Sequence, residues 1–217
     1  MAPTTGRTGR PPVTSRADIL TAARQLIDRE GWQKLTIRRL AAEAGIAPTT
    51  LYHHVRDKDD LLVQLLNHYA DRIPRPALPG NPRERITVAA ISMHDALAAW
   101  PWVVEVLTAD DLLGESALWM VEAIVGGAVD CGCTPEQAVV FYRSVWYYTI
   151  GEIMVRAAAA RRRTDDRPIV RDAVFASLDP DALPHLAALG ARWPELTSGE
   201  TYPLGLRGLM DGLLPRP

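Results

Sequence analysis

The sequence predicts an all-α protein with two domains. Apolar residues recur three and four positions apart in every long segment, and no run alternates between apolar and polar residues as a half-buried strand does. Prolines and a glycine crowd residues 74–82, where the helical pattern stops. We therefore expect a flexible basic arm over 1–14, a domain of three to four short helices over 15–75 and a larger helical domain over 76–217.

Composition and charge indicate a globular chain with a basic front. Hydrophobic residues make up 47% and charged residues 23% of the 217 residues, which excludes disordered, collagen-like and coiled-coil chains. Residues 1–75 carry 12 Lys and Arg against 8 Asp and Glu, whereas residues 76–217 carry 12 against 18. This asymmetry predicts a first domain that faces a polyanion and a solvated second domain.

Membrane, secreted and metal-binding classes are not favoured. Arg143 and Glu152 interrupt the most apolar segment, Val139–Val155, so we expect no membrane span. No apolar segment follows the first arginines, as a secretory signal would require. We therefore expect a cytoplasmic protein without a metal or a cofactor. Cys131 and Cys133 are predicted to be reduced and packed, and a redox switch through them is the alternative.

The first two helices have recognisable ends. Ser15 starts the first helix, with Asp18 placed for a capping box, and Gly31 ends it. Thr36 can cap a second, short helix, which Gly45 closes. Both helices carry apolar residues at helical spacing and therefore bury one face.

A third helix begins at Pro48 and is predicted to run through His53, and a fourth begins near Asp57 or Lys58. Because the turn between the second and third helices is so short, these helices must cross steeply.

The crossing requires three residue types at fixed spacing. Ala41 is a small residue within the second helix, Gly45 supplies a positive φ at the turn, and Leu51 anchors the third helix. This spacing predicts a helix-turn-helix, with a plain helical hairpin as the alternative.

Residues 31–62, GWQKLTIRRLAAEAGIAPTTLYHHVRDKDDLL, resemble the signature of the TetR family of transcriptional repressors. Ala47 departs from the pattern, since the family often has serine or another capping residue there. The resemblance implies a DNA-binding regulator whose third helix enters the major groove. The matching positions are Gly31, Thr36, Leu40, Ala41, Ala44, Gly45, Leu51, Tyr52, His54, Lys58, Leu61 and Leu62.

We expect DNA contacts from both helices of the motif. Arg38 can bond a guanine edge, and Thr49 and Thr50 can approach the bases and touch a thymine methyl group. Plain surface positions are the alternative for these residues. Phosphate contacts are expected from the aromatic, imidazole and lysine side chains nearby. The full predicted set is Arg10, Thr36, Arg38, Thr49, Thr50, Tyr52, His53, His54 and Lys58.

Arg10 belongs to the arm. Gly9-Arg10-Pro11 resembles the core of a minor-groove AT-hook, in which an arginine held extended by proline enters a narrow A·T groove. An arm without DNA contacts is the alternative.

The second domain is predicted to consist of helices joined by short turns. Thr134 and Pro135 suit the start of a long helix, and the arginines 161–163 suit its negative end. Between Val139 and Val155 this helix is apolar nearly all round, so both of its faces should be covered. The predicted segments are 83–100, 102–109, 115–131, 135–163 and 202–214, with some turns in 168–190.

The last helix carries a glycine ridge. Each of Gly205, Gly208 and Gly212 costs about 1 kcal/mol relative to alanine inside a helix. Three such residues are best explained by close approach of another helix, with a frayed tail as the alternative. We expect a homodimer that joins 135–163 and 202–214 of each subunit in a four-helix interface.

The second domain also resembles the tetracycline-repressor branch of the family, which implies one ligand pocket per subunit. Leu107 and Val155 stand where that repressor presents a metal-chelating His and Glu, so a magnesium–tetracycline effector is not expected. Ordinary core packing is the alternative for the implied lining. That lining is Met93, Leu97, Leu107, Val121, Ile124, Val139, Tyr142, Arg143 and Trp146.

These observations predict a ligand-responsive transcriptional repressor. It would bind a palindromic operator on double-stranded DNA as a homodimer and be released by a small, largely apolar or aromatic effector. The alternative is a DNA-binding regulator whose C-terminal domain only dimerises or binds a protein partner. A small helical enzyme is not favoured, because the sequence shows no nucleophile–base pair, metal-ligand cluster or phosphate loop.

Overall fold

A computed structural model describes residues 15–109, 112–163 and 170–216. These residues form helices and turns and contain no strand, which confirms the all-α prediction. The predicted arm, with Arg10, lies outside them. In chain order the helices are α1 (Arg16–Glu30), α2 (Ile37–Glu43), α3 (Pro48–Leu51), α4 (Lys58–Ala70), α5 (Pro82–Ala99), α6 (Pro101–Ala109), α7 (Leu118–Asp130), α8 (Pro135–Arg163), α9 (Val170–Ala176), α10 (Pro184–Ala187), α11 (Trp193–Leu196) and α12 (Tyr202–Leu213).

The chain divides into two compact units that are not two continuous stretches of sequence. The N-terminal unit combines the residues up to Ile73 with Trp102–Leu118, and so includes nearly all of α6. The C-terminal unit combines Pro74–Pro101 with Trp119–Pro217. The helix predicted over 102–109 therefore packs with the N-terminal unit.

The helix ends of the N-terminal unit follow the local sequence. The hydroxyl of Ser15 accepts a hydrogen bond from the amide of Asp18 at 3.1 Å, and the Asp18 carboxylate accepts one from the amide of Ser15 at 3.0 Å. The Ser15 hydroxyl also donates to that carboxylate at 2.7 Å, and the bonds that this hydroxyl and the Ser15 amide donate hold the pKa of Asp18 below its usual value. Gly31 ends α1 with a φ of +87°, and Asp57 caps α4. The predicted capping box, the end of α1 at Gly31 and the start of α4 after Asp57 are confirmed.

The third helix is shorter than predicted. It was expected to run through His53, but the α-helix ends at Leu51. Beyond it the amide of His53 donates to the carbonyl of Thr50 at 3.2 Å, and that of His54 donates to Leu51 at 2.9 Å. These bonds span three residues instead of four, so the chain tightens into turns before α4.

In the C-terminal unit, α5 packs against α7, α8 and α12. Asn81 caps α5 by accepting bonds from the amides of Arg83 and Glu84. A Cβ at Gly127 of α7 would lie 2.6 Å from the Ile86 side chain, so only glycine allows this approach of α7 to α5. The buried side chains of α5 are Ile86, Ala89, Ala90, Met93, His94 and Leu97.

The long helix α8 has one buried face. Residues spaced three and four apart along it are buried: Ala138, Phe141, Val145, Thr149 and Ile153. Other apolar residues of α8 remain exposed, so only part of its apolar circumference is covered within the subunit.

Cys131 and Cys133 are free thiols within the turn that joins α7 to α8. Cys133 is buried and Cys131 is half-buried. Burial raises the pKa of the Cys131 thiol, which lowers its reactivity. Among the described residues, no helix combines the length and apolar character needed to cross a bilayer.

Candidate nucleic-acid interface and C-terminal face

The turn between α2 and α3 has the geometry that the spacing predicts. Ala41 and Leu51 are buried, with exposed fractions of 1% and 0%, where the two helices cross. Gly45 has a φ of +65°, and no atom lies within 4 Å of a Cβ placed on it, so the backbone angle and not the space requires glycine there. The Ile46 amide donates to the Ala41 carbonyl at 3.0 Å and closes the turn.

The side chains predicted to contact bases are exposed on this motif. Arg38 lies in the first turn of α2, and Thr49 and Thr50 lie in the first turn of α3. His53 is also exposed, and Tyr52 exposes 56% of its surface despite its large ring. The motif therefore presents short polar and aromatic groups to the solvent, anchored by the buried Leu51.

Arg38 differs from the neighbouring arginines in its charge partners. Arg39 pairs with Glu30, and Arg29 binds Glu43 through two hydrogen bonds of 2.9 and 2.8 Å. Among the described residues, Arg38 forms no such ion pair. Its guanidinium is thus available to an anion or a base edge, while the other two hold α1 against α2.

Three of the predicted contact residues have partners within the chain. The Thr36 hydroxyl caps α2 by accepting a bond from the Arg39 amide at 3.3 Å. His54 is half-buried, and its backbone carbonyl accepts a hydrogen bond from Gln64 Nε2 at 3.1 Å. The Lys58 ammonium lies 4.9 Å from the centre of the Trp32 ring, in cation–π geometry.

Glu105 of α6 holds the Trp32 ring against which Lys58 packs. Oε2 of Glu105 accepts hydrogen bonds from Trp32 Nε1 and from Gln33 Nε2, both at 3.0 Å. Because Glu105 fixes Trp32, it also fixes the ring against which Lys58 packs. Sequence reasoning missed this contact, since about 70 residues separate its partners.

The residues predicted to line an effector pocket lie at different depths. Met93, Leu97 and Ile124 are buried, and Val121, Tyr142 and Trp146 are half-buried. Desolvation raises the pKa of the Tyr142 hydroxyl. All six belong to the C-terminal unit.

The other three predicted lining residues are either exposed or outside the C-terminal unit. Leu107 belongs to the N-terminal unit. Val139 exposes 50% of its surface, and Arg143 is exposed and donates a hydrogen bond to the Tyr147 hydroxyl. Val139, Tyr142, Arg143 and Trp146 follow helical spacing and share one side of α8, but that side straddles the boundary between the buried and the exposed surface of the helix.

The three glycines of α12 have different surroundings. A Cβ at Gly205 would overlap the Tyr148 hydroxyl of the same subunit, so Gly205 makes room for an internal aromatic ring. In the part of the chain that the structure describes, nothing lies within 4 Å of a Cβ at Gly208 or Gly212. The prediction that all three glycines face another subunit is therefore corrected for Gly205, because its contact is internal.

Exposed apolar side chains accompany the two open glycines. On α8, Val140, Tyr147 and Val155 expose 62%, 58% and 67% of their surfaces. On α12, Leu204 exposes 71% and Leu213 exposes 44%. Adjacent helices with this many exposed apolar groups are typical of an interaction surface. We call the exposed apolar residues of α8 and α12, with Gly208 and Gly212, the α8–α12 face.

A polar cluster lies in the core of the C-terminal unit. His94 Nε2 lies 2.9 Å from Glu152 Oε2, and His94 Nδ1 lies 3.0 Å from Asp95 Oδ1. The side chains of His94 and Glu152 are only 7% and 10% exposed. Arg156 contacts the other Glu152 oxygen at 3.1 Å. Each buried polar group thus has a charged partner.

Tyr202 joins this cluster to α12. Its ring stacks on His94 at 4.0 Å and on Tyr148 at 5.3 Å between centroids. Its hydroxyl lies 2.8 Å from the Thr149 hydroxyl, and desolvation raises its pKa to about 12. The ring therefore fixes the start of α12 against α5 and α8.

A surface cavity of 460 Å³ opens between the start of α8 and the end of α12. It shares no residue with the predicted effector lining. Its walls are Cys133, Glu136, Gln137, Val140, Phe141, Leu213, Leu214 and Pro215.

An exposed helix-turn-helix and a separate helical unit define a class of protein, the helix-turn-helix transcriptional regulators. The model of the tetR family of bacterial regulatory proteins matches residues 19–65, and that of the tetracyclin repressor-like C-terminal domain matches residues 75–216. The chain belongs to the tetR family, and the resemblance seen in the sequence is confirmed.

Similar proteins agree with this family. The transcriptional repressor DrrR1 of Streptomyces coeruleorubidus is 27% identical over 94% of this chain and 79% of its own length. The tetracycline repressor protein class E of Escherichia coli is 28% identical over 65% of this chain and 68% of its own length. The structure of a possible TetR family regulator from Streptomyces coelicolor is 27% identical, covers 92% of this chain and 98% of its own, and superposes with a TM-score of 0.69.

Proposed function

We propose that this protein is a ligand-responsive repressor that binds a palindromic operator as a homodimer. The observation that carries the proposal is the exposed set Arg38, Thr49 and Thr50 on a motif whose crossing is fixed by buried Ala41 and Leu51. Two copies related by a twofold axis would place two α3 helices in successive major grooves. The protein would act in the cytoplasm, where its DNA target lies, and have no catalytic role.

The α8–α12 face supports the homodimer. A twofold axis would bring α8 and α12 of each subunit together as four helices. The open glycines would let the partner backbone approach closely, and Val140, Tyr147 and Leu204 would lose their exposure to water.

Half-buried aromatic residues of the C-terminal unit support an organic effector. Tyr142 and Trp146 lie one turn apart on α8, and Met93, Leu97, Val121 and Ile124 supply apolar surface on α5 and α7. Leu107 and Val155 carry no metal-ligating atom, so the effector class is an apolar or aromatic molecule and not a metal chelate. Such a ligand would favour a conformer in which the two helix-turn-helix motifs are wrongly spaced for the operator. It can weaken operator binding by no more than the difference between its affinities for the two conformers.

Arg38→Ala is expected to weaken operator binding by about 1–3 kcal/mol per half-site and to relax the preference at one base pair of each half-site, because a bidentate contact to guanine is lost in each subunit. The operator is first selected from randomised duplex DNA with the purified protein, and affinities are then measured by fluorescence anisotropy at fixed salt. Arg192→Ala, which removes an exposed arginine of the C-terminal unit, is the matched control and should bind like the wild type. A selected site without twofold symmetry, or unchanged affinity of Arg38→Ala, contradicts the proposal.

The effector is tested by a thermal-shift screen of small aromatic and apolar compounds, followed by operator release in a mobility-shift assay. Compounds that stabilise the protein should release the wild type from its operator. Trp146→Ala should keep operator affinity and lose the response, because one wall of the site is removed. If stabilising compounds leave operator affinity unchanged, the C-terminal unit only dimerises or binds a protein partner.

A further inference from the structure

The side-chain amide of Gln64 joins three parts of the N-terminal unit. Its Oε1 accepts a hydrogen bond from Arg16 Nε at 2.8 Å. Its Nε2 donates to the backbone carbonyl of His54 at 3.1 Å and to Asp60 Oδ2 at the same distance. Gln64 lies on α4 and is half-buried, so one amide connects the start of α1, α4 and the turn that follows α3.

The turn after α3 depends on such support. With only four residues, α3 is too short to be stable alone, and its orientation must come from the contacts that flank it. The His54 carbonyl lies at the end of the turns that extend α3, where carbonyl groups lack helical partners. The Gln64 amide supplies that partner.

Asp60 of α4 holds the same turn two residues further on, at Arg56. Its Oδ2 accepts the backbone amide of Arg56 at 2.9 Å, and this bond is the main reason why the pKa of Asp60 lies below its usual value. Gln64 donates to that same oxygen, so the two α4 side chains form one connected support under residues 54–56. On the other side of the motif, the side chains of Leu51 and Val55 anchor α3 and the turn after it by apolar packing.

We propose that Gln64 is a positioning residue for operator recognition. By holding the His54 carbonyl it fixes the orientation of α3, and with it the direction in which Thr49 and Thr50 meet the bases. This inference rests on the proposed function of the helix-turn-helix. Base readout depends on orientation to within a fraction of an ångström, whereas phosphate contacts tolerate small rotations. Loss of the Gln64 amide should therefore reduce sequence discrimination more than general DNA affinity.

The test compares affinities for the selected operator and for a scrambled duplex of the same length, at one salt concentration. Gln64→Met keeps the length of the side chain and removes its polar atoms. We expect operator affinity to fall about tenfold, because the hydrogen bond to the His54 carbonyl is among those lost and α3 is no longer held in its orientation, and scrambled-duplex affinity to change less than about twofold. A purely structural role would lower the melting temperature and both affinities together, and that result overturns the proposal.

Arg16→Met distinguishes the contribution of the Gln64 carbonyl oxygen from that of its amide nitrogen. It removes the Arg16 bond and leaves the donation to His54 in place, so discrimination should stay near the wild-type value. An equal loss of discrimination in Arg16→Met overturns the assignment to the His54 carbonyl. A wild-type protein that does not distinguish operator from scrambled duplex refutes the proposed function itself. Discrimination that is intact in both the wild type and Gln64→Met refutes only the inference about Gln64.

Discussion

Gly208→Glu is expected to separate the homodimer into monomers and to lower operator affinity about 100-fold or more. A Cβ at this position meets no atom of the described residues within 4 Å, and the position is exposed, so the subunit itself should fold normally. In the proposed dimer the same side chain would place a carboxylate in the apolar α8–α12 face, where it has no partner. Operator affinity falls because each monomer then engages a single half-site and loses the gain from two linked contacts.

The measurement is sedimentation equilibrium, followed by a mobility-shift titration of the operator. Gly199→Glu is the matched control, since Gly199 is also exposed and open but lies in the loop before α12. It should remain dimeric. Gly205→Ala provides a second comparison, because its Cβ would overlap Tyr148 and should destabilise the subunit. A Gly208→Glu protein that stays dimeric at micromolar concentration contradicts the proposed interface.

Glu152→Leu is expected to reduce the free energy of unfolding by about 3–5 kcal/mol. Glu152 contacts His94 in the core and the exposed Arg156, and its replacement leaves Nε2 of the buried His94 without that partner. Stacking on Tyr202 transmits the loss to α12. The measurement is urea unfolding at one fixed protomer concentration, because dimerisation makes apparent stability depend on concentration.

The double variant His94→Leu with Glu152→Leu should cost less than the sum of the two single variants, since it leaves no unpaired buried group. Asp95→Asn is the control: the Asp95 side chain is 69% exposed, so its contact with His94 should contribute less than about 1 kcal/mol. Additive single effects, or single variants within about 1 kcal/mol of the wild type, would show that the cluster is not coupled.

Several features of the DNA-binding motif could be predicted because they depend on neighbours within a few residues. The capping box at Ser15 and the positive φ of Gly45 need only the residues around them. The length of α3 could not be predicted in this way. The turns after Leu51 are supported by α4, and no capping residue or proline in the sequence signals where the helix ends.

The C-terminal unit was less accessible to sequence reasoning. Helical spacing placed Tyr142, Arg143 and Trp146 on one face of α8 but could not say how deeply that face is buried. The three glycines of α12 look equivalent in the sequence, yet only the folded chain brings Tyr148 against Gly205. Gln64 was missed because a lone glutamine on a helix carries no motif.

The amino-acid order alone established the helical class, the helix-turn-helix and the residues it exposes, since each follows from interactions between close neighbours or from periodicity. Partners far apart in the chain were fixed by folding alone. His94 and Glu152 are separated by 58 positions, and Trp32 and Glu105 by 73. Periodicity identifies which side chains share a face, but packing of whole helices determines what that face meets.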